Sequence, residues 1–175
     1  MENIKLPIKY SKGLIAIHWV SAILIFMLFP LGKYMADIPV ADKIILIRIH
    51  SAIGFLVFIL TIVRSILFFT AARPPHLDTG SKFNDLLAVG VQRAFYFLLL
   101  AIGLSGSAVM IVGGYKDALM SSTASPELIL PREEIAPLQI HNVLAVLMML
   151  LVVMHIIGVI RYNIKHKTNV IKRIS

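Results

Sequence analysis

The chain has 175 residues, of which 58% are hydrophobic and 15% charged, and its mean hydropathy is +0.87. This composition is typical of an integral membrane protein and excludes an ordinary soluble domain. The absence of cysteine excludes disulfides, thiolate metal sites, iron–sulfur clusters and c-type haem attachment, while basic segments beside membrane spans explain the net charge of +8 without a nucleic-acid partner.

Four apolar runs are long enough to cross a bilayer, and they predict one all-α integral membrane domain over residues 1–175. No small-residue cleavage signature follows the first run, so we expect it to be retained as a span and not removed as a signal peptide. Pro30 marks either a kink in that span or the start of its exit. The expected spans, in chain order, are residues 13–35, 44–71, 86–112 and 138–162. The longest loop is expected between the third and fourth spans, at residues 113–137.

Lys and Arg are distributed unequally between the two sides of this four-helix bundle. Twelve of the 17 lie in the N-terminal arm, the 72–85 loop, the C-terminal tail or the adjoining span ends, together with three acids. The opposite side holds the remaining five bases and six acids. Because cytoplasmic segments are enriched in Lys and Arg, both termini are expected to face the cytoplasm.

Four histidines lie within or beside the spans, where ionisable side chains are costly and usually functional. The topology places His18 and His155 near the cytoplasmic side, and His50 and His141 near the outer side. His141 and His155 are fourteen residues apart in one span. On a helix they share nearly one face and lie about 21 Å apart, most of the ~30 Å hydrocarbon core. The pattern therefore predicts two depth-matched pairs, His18 with His155 and His50 with His141.

Two trans imidazoles are the axial ligands of a b-type haem, whose porphyrin supplies the other four nitrogens. Zinc fits less well, because it usually recruits further Cys, His or carboxylate ligands, and none lies at these depths. The sequence thus predicts a four-helix bundle that encloses two haem b groups. Arg64, fourteen residues after His50, is the candidate partner for a haem propionate. The alternative is that Arg64 extends to the lipid headgroups.

Other residues near the histidines have expected roles as well. Small residues should let a flat macrocycle approach the helices, and the candidates are Gly54, Gly103, Gly106 and Gly158. Trp19 is expected at the membrane interface. His76 and His166, in a loop and in the tail, are expected to be exposed to solvent.

Several segments, in this order, resemble the bacterial cytochrome b561 family of four-helix di-haem membrane proteins. They are IHWVSA, HSAIGFLVFILTIVR, RPPHL, FYFLLLAIGLSG, the His141/His155 pair and a basic tail ending VIKRI. The resemblance implies that the four span histidines are haem ligands and that the protein lies in a bacterial inner membrane. It also implies electron exchange with quinone. One activity characterised in the family is superoxide oxidation at the outer haem, with electrons passed inward to ubiquinone.

Two positions depart from the family's pattern. Family members usually carry a His four residues before a Tyr near the start of the third span, and here Gln92 precedes Tyr96. The fourth span is often followed by a His-His pair, where this chain has Arg161 and Tyr162. Both departures lie on the cytoplasmic side, so the family's quinone site is not carried over. The slightly acidic outer side also argues against electrostatic steering of superoxide.

Three functions follow from these observations. The leading one is electron transfer between an outer donor and membrane quinone, with superoxide oxidation as its most concrete version. The alternative is a membrane-anchor cytochrome subunit that serves a redox partner protein, as in hydrogenase or formate dehydrogenase complexes. A haem-free proton or ion pathway through histidine is disfavoured, because no Asp or Glu lies deep in a span.

Overall fold

The computed structural model describes residues 9–70, 74–75, 78–120 and 126–175. Its α-helices are α1 (Lys12–Ala36), α2 (Val40–Thr70), α3 (Lys82–Val112), α4 (Tyr115–Met120) and α5 (Ala136–His166). Three short 3-10 turns cover Pro126–Leu128, Arg132–Glu134 and Val170–Arg173. These described ranges contain no strand, and the all-α expectation is confirmed.

The helices α1, α2, α3 and α5 are each long and apolar enough to cross a membrane. The chain is therefore a multi-pass membrane protein. Each of these helices overlaps one expected span, although Ala71, the expected end of the second, lies outside the described residues. α5 continues four residues past the expected end of its span, to His166. A span estimated from apolarity stops at the first charges, whereas a helix continues while its backbone hydrogen bonds are made.

Local signals explain where the helices begin and end. Ser11 is the N-cap of α1, and its hydroxyl accepts a hydrogen bond from the Leu14 amide at 3.4 Å. Pro30 does not end that helix, which runs through it to Ala36. α5 ends at His166, and the next residue, Lys167, is its C-cap and adopts the left-handed conformation with φ of 48°.

The long helices pack in chain order: α1 contacts α2, α2 contacts α3, and α3 contacts α5. Few side chains within the spans are buried, and most of the large apolar side chains face outward, as expected of a lipid-facing surface. We call the end of the bundle that holds residues 9–11 and 167–175 the terminal end. The opposite end, which holds α4 and the first two 3-10 turns, is the capped end.

The capped end contains the tightest packing in the described structure. Ala118 and Ile135 are 0% exposed and Tyr115 is 7% exposed, and the last two pack with Ile47 of α2. The Leu130 amide donates to the Gly113 carbonyl at 3.1 Å. Burial raises the pKa of the Tyr115 phenol, so it stays neutral. The expected long loop at residues 113–137 is therefore, in its described part, a folded cap.

The terminal end is closed by the C-terminal tail, which folds back across the bundle. The Tyr10 amide donates to the Arg173 carbonyl at 3.1 Å, and the Trp19 indole donates to the Ile174 carbonyl at 2.7 Å. The Arg173 guanidinium donates to the Pro75 carbonyl at 2.7 Å. The tail thus connects the N-terminal arm, α1 and the segment before α3.

Candidate functional site

The imidazoles of His50 and His141 face each other at the capped end. His50 lies near the start of α2 and His141 near the start of α5, and their ring centroids are 6.3 Å apart with an interplanar angle of 74°. An imidazole nitrogen binds a metal at about 2 Å and lies about 1 Å from its ring centroid, so trans ligands have centroids about 6 Å apart. At this spacing His50 and His141 could hold one metal ion between them, such as a haem iron, which would supply a reversible one-electron couple.

Two glycines lie against these rings. A Cβ on Gly32 of α1 would be 3.3 Å from His50 Cε1, and a Cβ on Gly106 of α3 would be 3.2 Å from His141 Cε1. Both rings therefore contact helix backbone that only glycine leaves open. The buried Nδ1 of His50 has no hydrogen-bond partner among the described residues, and such an unpaired buried nitrogen is uncommon in proteins.

The outcome for the four expected glycines is mixed. Gly106 lies beside His141 as the sequence predicts, whereas Gly103 lies against Phe58, where a Cβ would overlap the ring. Gly54 and Gly158 adjoin open space. Gly32, the neighbour of His50, was missed by sequence reasoning. Its depth in the first span, near the outer end, is the signal that could have identified it.

Unlike His50, His141 has hydrogen-bond partners for its Nδ1 atom among the described residues. Its Nδ1 lies 3.2 Å from the Ile102 carbonyl oxygen and 3.1 Å from the Ser105 hydroxyl. Because a carbonyl can only accept, Nδ1 carries the proton in this contact, and Nε2 keeps a free lone pair. A histidine that binds a metal commonly donates its other ring N–H to a backbone carbonyl in this way, which fixes the orientation and tautomer of the ring.

The second histidine pair lies at the terminal end, and its rings are not in direct contact. His18 of α1 is within electrostatic reach of both His155 and Arg64. The His155 ring packs edge-to-face on Phe95, with centroids 5.5 Å apart. The His155 side chain is exposed on α5, in a stretch where the neighbouring residues 153–158 are exposed as well. His155 is thus the exposed member of this pair, whereas His18, like His50 and His141, is half-buried.

Arg64 lies beside that terminal-end pair. Its guanidinium carbon is 5.7 Å from the Tyr96 ring centroid, a cation–π distance. The side chain is half-buried and within electrostatic reach of both His18 and His155. The structure therefore holds Arg64 against α3, with its charge directed toward the histidines.

The two positions that depart from the family's pattern lie at the terminal end. Tyr162 donates its hydroxyl proton to the Asp78 carbonyl at 3.2 Å and stacks on His166 with centroids 4.4 Å apart. His166 is half-buried by this stacking, so the expectation of a solvent-exposed ring is wrong for it. His76 lies outside the described residues. Gln92 is half-buried in α3 and Arg161 is exposed.

The cations of the capped end contact backbone carbonyls. Lys43 donates to the carbonyls of Met35 and Ile38, both at 2.9 Å. Arg132 donates to the Ala36 carbonyl at 2.9 Å. These groups lie at or just after the C-terminal end of α1, where unpaired carbonyls and the helix dipole favour cations.

The donor set of the site fits a haem b group. Among the described residues, no group of three or more His, Cys, Asp or Glu side chains could hold a metal ion. Each histidine pair instead offers two neutral nitrogens, and a macrocycle would supply the other four. At the capped end the ring spacing and the glycine walls fit such a group. At the terminal end the open space around His155 and the charge of Arg64 fit a haem with its propionates.

Comparisons with known proteins agree with this description. The family described as prokaryotic cytochrome b561 matches residues 9–175 of the chain. Cytochrome b561 homolog 2 of Escherichia coli (strain K12) is 30% identical over 110 residues. That alignment covers 62% of this chain and 58% of the relative, so less than two thirds of the relative's length is matched. No solved structure matches the chain.

Proposed function

This chain belongs to the prokaryotic cytochrome b561 family of haem-binding electron-transfer proteins, and from that premise we propose that it carries electrons through two haem b groups to membrane quinone. Each haem supplies a reversible one-electron iron couple when it is bound. The observation that carries the proposal is the 6.3 Å spacing of the His50 and His141 rings at the capped end. We treat residues 1–175 as one membrane domain.

In this proposal the bundle holds one haem at each end. His50 and His141 bind the iron at the capped end, and His18 and His155 bind the iron at the terminal end. The two α5 ligands are separated by fourteen residues, so one helix fixes both levels. Arg64 neutralises a propionate of the terminal-end haem, as its proximity to His18 and His155 supports.

The orientation follows from charge. We place the terminal end at the cytoplasmic face of a bacterial inner membrane, because its segments carry most of the Lys and Arg residues. The capped end then faces outward. Electrons enter at the capped end and leave toward quinone near the terminal end.

Superoxide oxidation coupled to ubiquinone reduction is the most concrete version of this function. Two superoxide ions would each give one electron and become dioxygen, and one ubiquinone would take both electrons and two protons. The outer side carries five Lys or Arg residues against six Asp or Glu residues, which argues against strong electrostatic steering of an anion. We therefore expect superoxide to reduce the haem, with a rate that depends only weakly on ionic strength.

A spectrum of the purified protein tests the core of the proposal. A reduced-minus-oxidised difference spectrum should show b-type absorbance with two haems per chain. No haem, or one haem per chain, would overturn the two-haem assignment. Mixing the oxidised protein with superoxide should then reduce it, and added ubiquinone should reoxidise it. A chain that binds two haems but does not react with superoxide would instead support the membrane-anchor alternative.

A further inference from the structure

One hydroxyl on α3 contacts a candidate haem ligand. Ser105 Oγ lies 3.1 Å from Nδ1 of His141 and 3.0 Å from the Ile102 carbonyl oxygen. Nδ1 itself lies 3.2 Å from that same carbonyl. The three polar atoms thus form a closed triangle, in which every distance is within hydrogen-bond range.

The roles within the triangle follow from the chemistry of its members. The carbonyl can only accept, so both the Ser105 hydroxyl and His141 Nδ1–H donate to it. With its proton used in this way, the hydroxyl still presents lone pairs toward Nδ1–H. The imidazole proton is therefore shared between two acceptors, and the ring is held in the tautomer whose Nε2 is free.

The opposite ring has no such support. Nδ1 of His50 is buried without a hydrogen-bond partner among the described residues, and the Gly32 backbone lies against its ring. The two imidazoles of the capped end are therefore unequal. Acceptors on the distal nitrogen raise the basicity of a metal-bound imidazole and stabilise the more oxidised metal.

We propose that Ser105 is a positioning residue for His141, and that its hydroxyl lowers the midpoint potential of the capped-end haem by accepting from Nδ1–H. This inference rests on the proposed function. It concerns one side chain that contacts the ligand and does not contact the iron.

The chain provides a matched control two residues along the same helix. Ser107 Oγ donates to the Gly103 carbonyl at 2.9 Å, a side chain-to-backbone bond like that of Ser105 to Ile102. Ser107 makes no described contact with a histidine. Replacing either serine by alanine removes one hydroxyl from α3, but only Ser105→Ala removes one that contacts the ligand.

The experiment is a spectroscopic redox titration of the haem-loaded protein and of its Ser105→Ala, Ser105→Thr and Ser107→Ala variants. The capped-end component is identified as the one missing from His141→Ala. The comparison is made at the potential where the capped-end haem of the wild-type protein is half reduced. At that potential, the ferrous-to-ferric ratio of the capped-end haem should be severalfold higher in Ser105→Ala. Ser105→Thr, which keeps a hydroxyl, should restore it, and Ser107→Ala should match wild type.

A second readout follows the orientation of the ligand. The low-spin ferric EPR signal of the capped-end haem depends on the angle between its imidazole planes, and it should change in Ser105→Ala but not in Ser107→Ala. Selective loss of the capped-end haem in Ser105→Ala would also support the positioning role. An unchanged or lower potential with an unchanged EPR signal would overturn it. A wild-type protein without haem would instead overturn the proposed function itself.

Discussion

At the scale of single residues, the capped end depends on two positions, in α1 and α3, that have no side chain. Gly32 and Gly106 allow the rings of His50 and His141 to lie directly on the backbones of α1 and α3. A Cβ at either position would lie closer to the ring than ordinary van der Waals contact, so the ring would have to shift by a few tenths of an ångström. The position of each ring is therefore set as much by a glycine on a neighbouring helix as by its own helix.

Gly106→Ala should weaken haem binding at the capped end. The new Cβ would lie 3.2 Å from His141 Cε1, closer than ordinary contact, so the ring must shift by a few tenths of an ångström. Displacing support of a metal ligand typically weakens metal binding by about tenfold or more. The haem-to-protein ratio after purification in limiting haem measures the effect.

Gly90→Ala is the control for that substitution. Gly90 lies on the same helix, is exposed and has nothing within 4 Å of its Cβ position. It gains helix propensity without a clash. Equal haem contents in the two variants would show that Gly106 does not constrain the ring.

His155→Ala and His141→Ala should each leave one haem per chain. Loss of His155 removes a ligand of the terminal-end haem, and electrons from an outer donor then stop at the capped end. Loss of His141 should do the reverse. Haem counts and difference spectra of both variants measure the outcome, and a variant that kept two bis-histidine haems would disprove the proposed pairing.

The sequence predicted the depth of each histidine and included Gly106 among the expected small neighbours, but it did not predict which ring each neighbour contacts. Depth along a span follows from residue number, so His50 and His141 could be matched without a structure. Contacts such as Gly32 with His50 and Ser105 with His141 depend on how α1 and α3 are rotated about their axes. Spans that are apolar on nearly every face carry no periodic signal that fixes this rotation.

At the scale of elements, the cap shows how cations complete a helix end. Lys43, at the start of α2, donates to two carbonyls at and beyond the end of α1, and Arg132 donates to a third. Prolines and glycines in residues 113–137 led to the prediction of a long loop before α5. Nothing in the sequence indicated that apolar residues of this segment pack together. Tyr115 and Ile135 lie twenty residues apart and come into contact only when the chain folds.

Lys43→Met should destabilise the capped end. The carbonyls of Met35 and Ile38 lose a charged donor, which costs about 1–3 kcal/mol where water cannot replace it. In detergent, the variant should unfold at a lower temperature than wild type. Release of the capped-end haem is the signal that monitors this unfolding. Lys33→Met is the control, because Lys33 is an exposed cation in the last turn of α1 with no described hydrogen bond. If both variants melted together, the capping role of Lys43 would be wrong.

At the scale of the whole molecule, the two ends differ in how they close. The capped end is packed by side chains, with Ile135 and Ala118 fully buried. The terminal end is bridged by the tail through backbone carbonyls and leaves His155 exposed. Composition predicted the membrane class, and the four apolar runs predicted the all-α fold and the number of long helices. Neither predicted this asymmetry, which arises from contacts between segments far apart in the chain.

The orientation of the molecule is testable because the chain has no cysteine. Lys116 and Lys167 are both exposed, one at the capped end and one at the terminal end. A membrane-impermeant maleimide applied to the outside of intact cells should label Lys116→Cys and leave Lys167→Cys unlabelled until the membrane is broken. The reverse pattern would place the termini outside and overturn the proposed direction of electron flow.

The continuity of α5 between His141 and His155 has a consequence for how this gene can change over time. One inserted residue would turn everything after it by about 100° and advance it by about 1.5 Å, so His155 would face away from His18. Seven inserted residues nearly restore the direction but lengthen the helix by about 10 Å, a third of the hydrocarbon thickness. Under the proposed pairing, apolar substitutions between the two histidines should be tolerated, whereas inserting or deleting a residue there should abolish binding of the terminal-end haem.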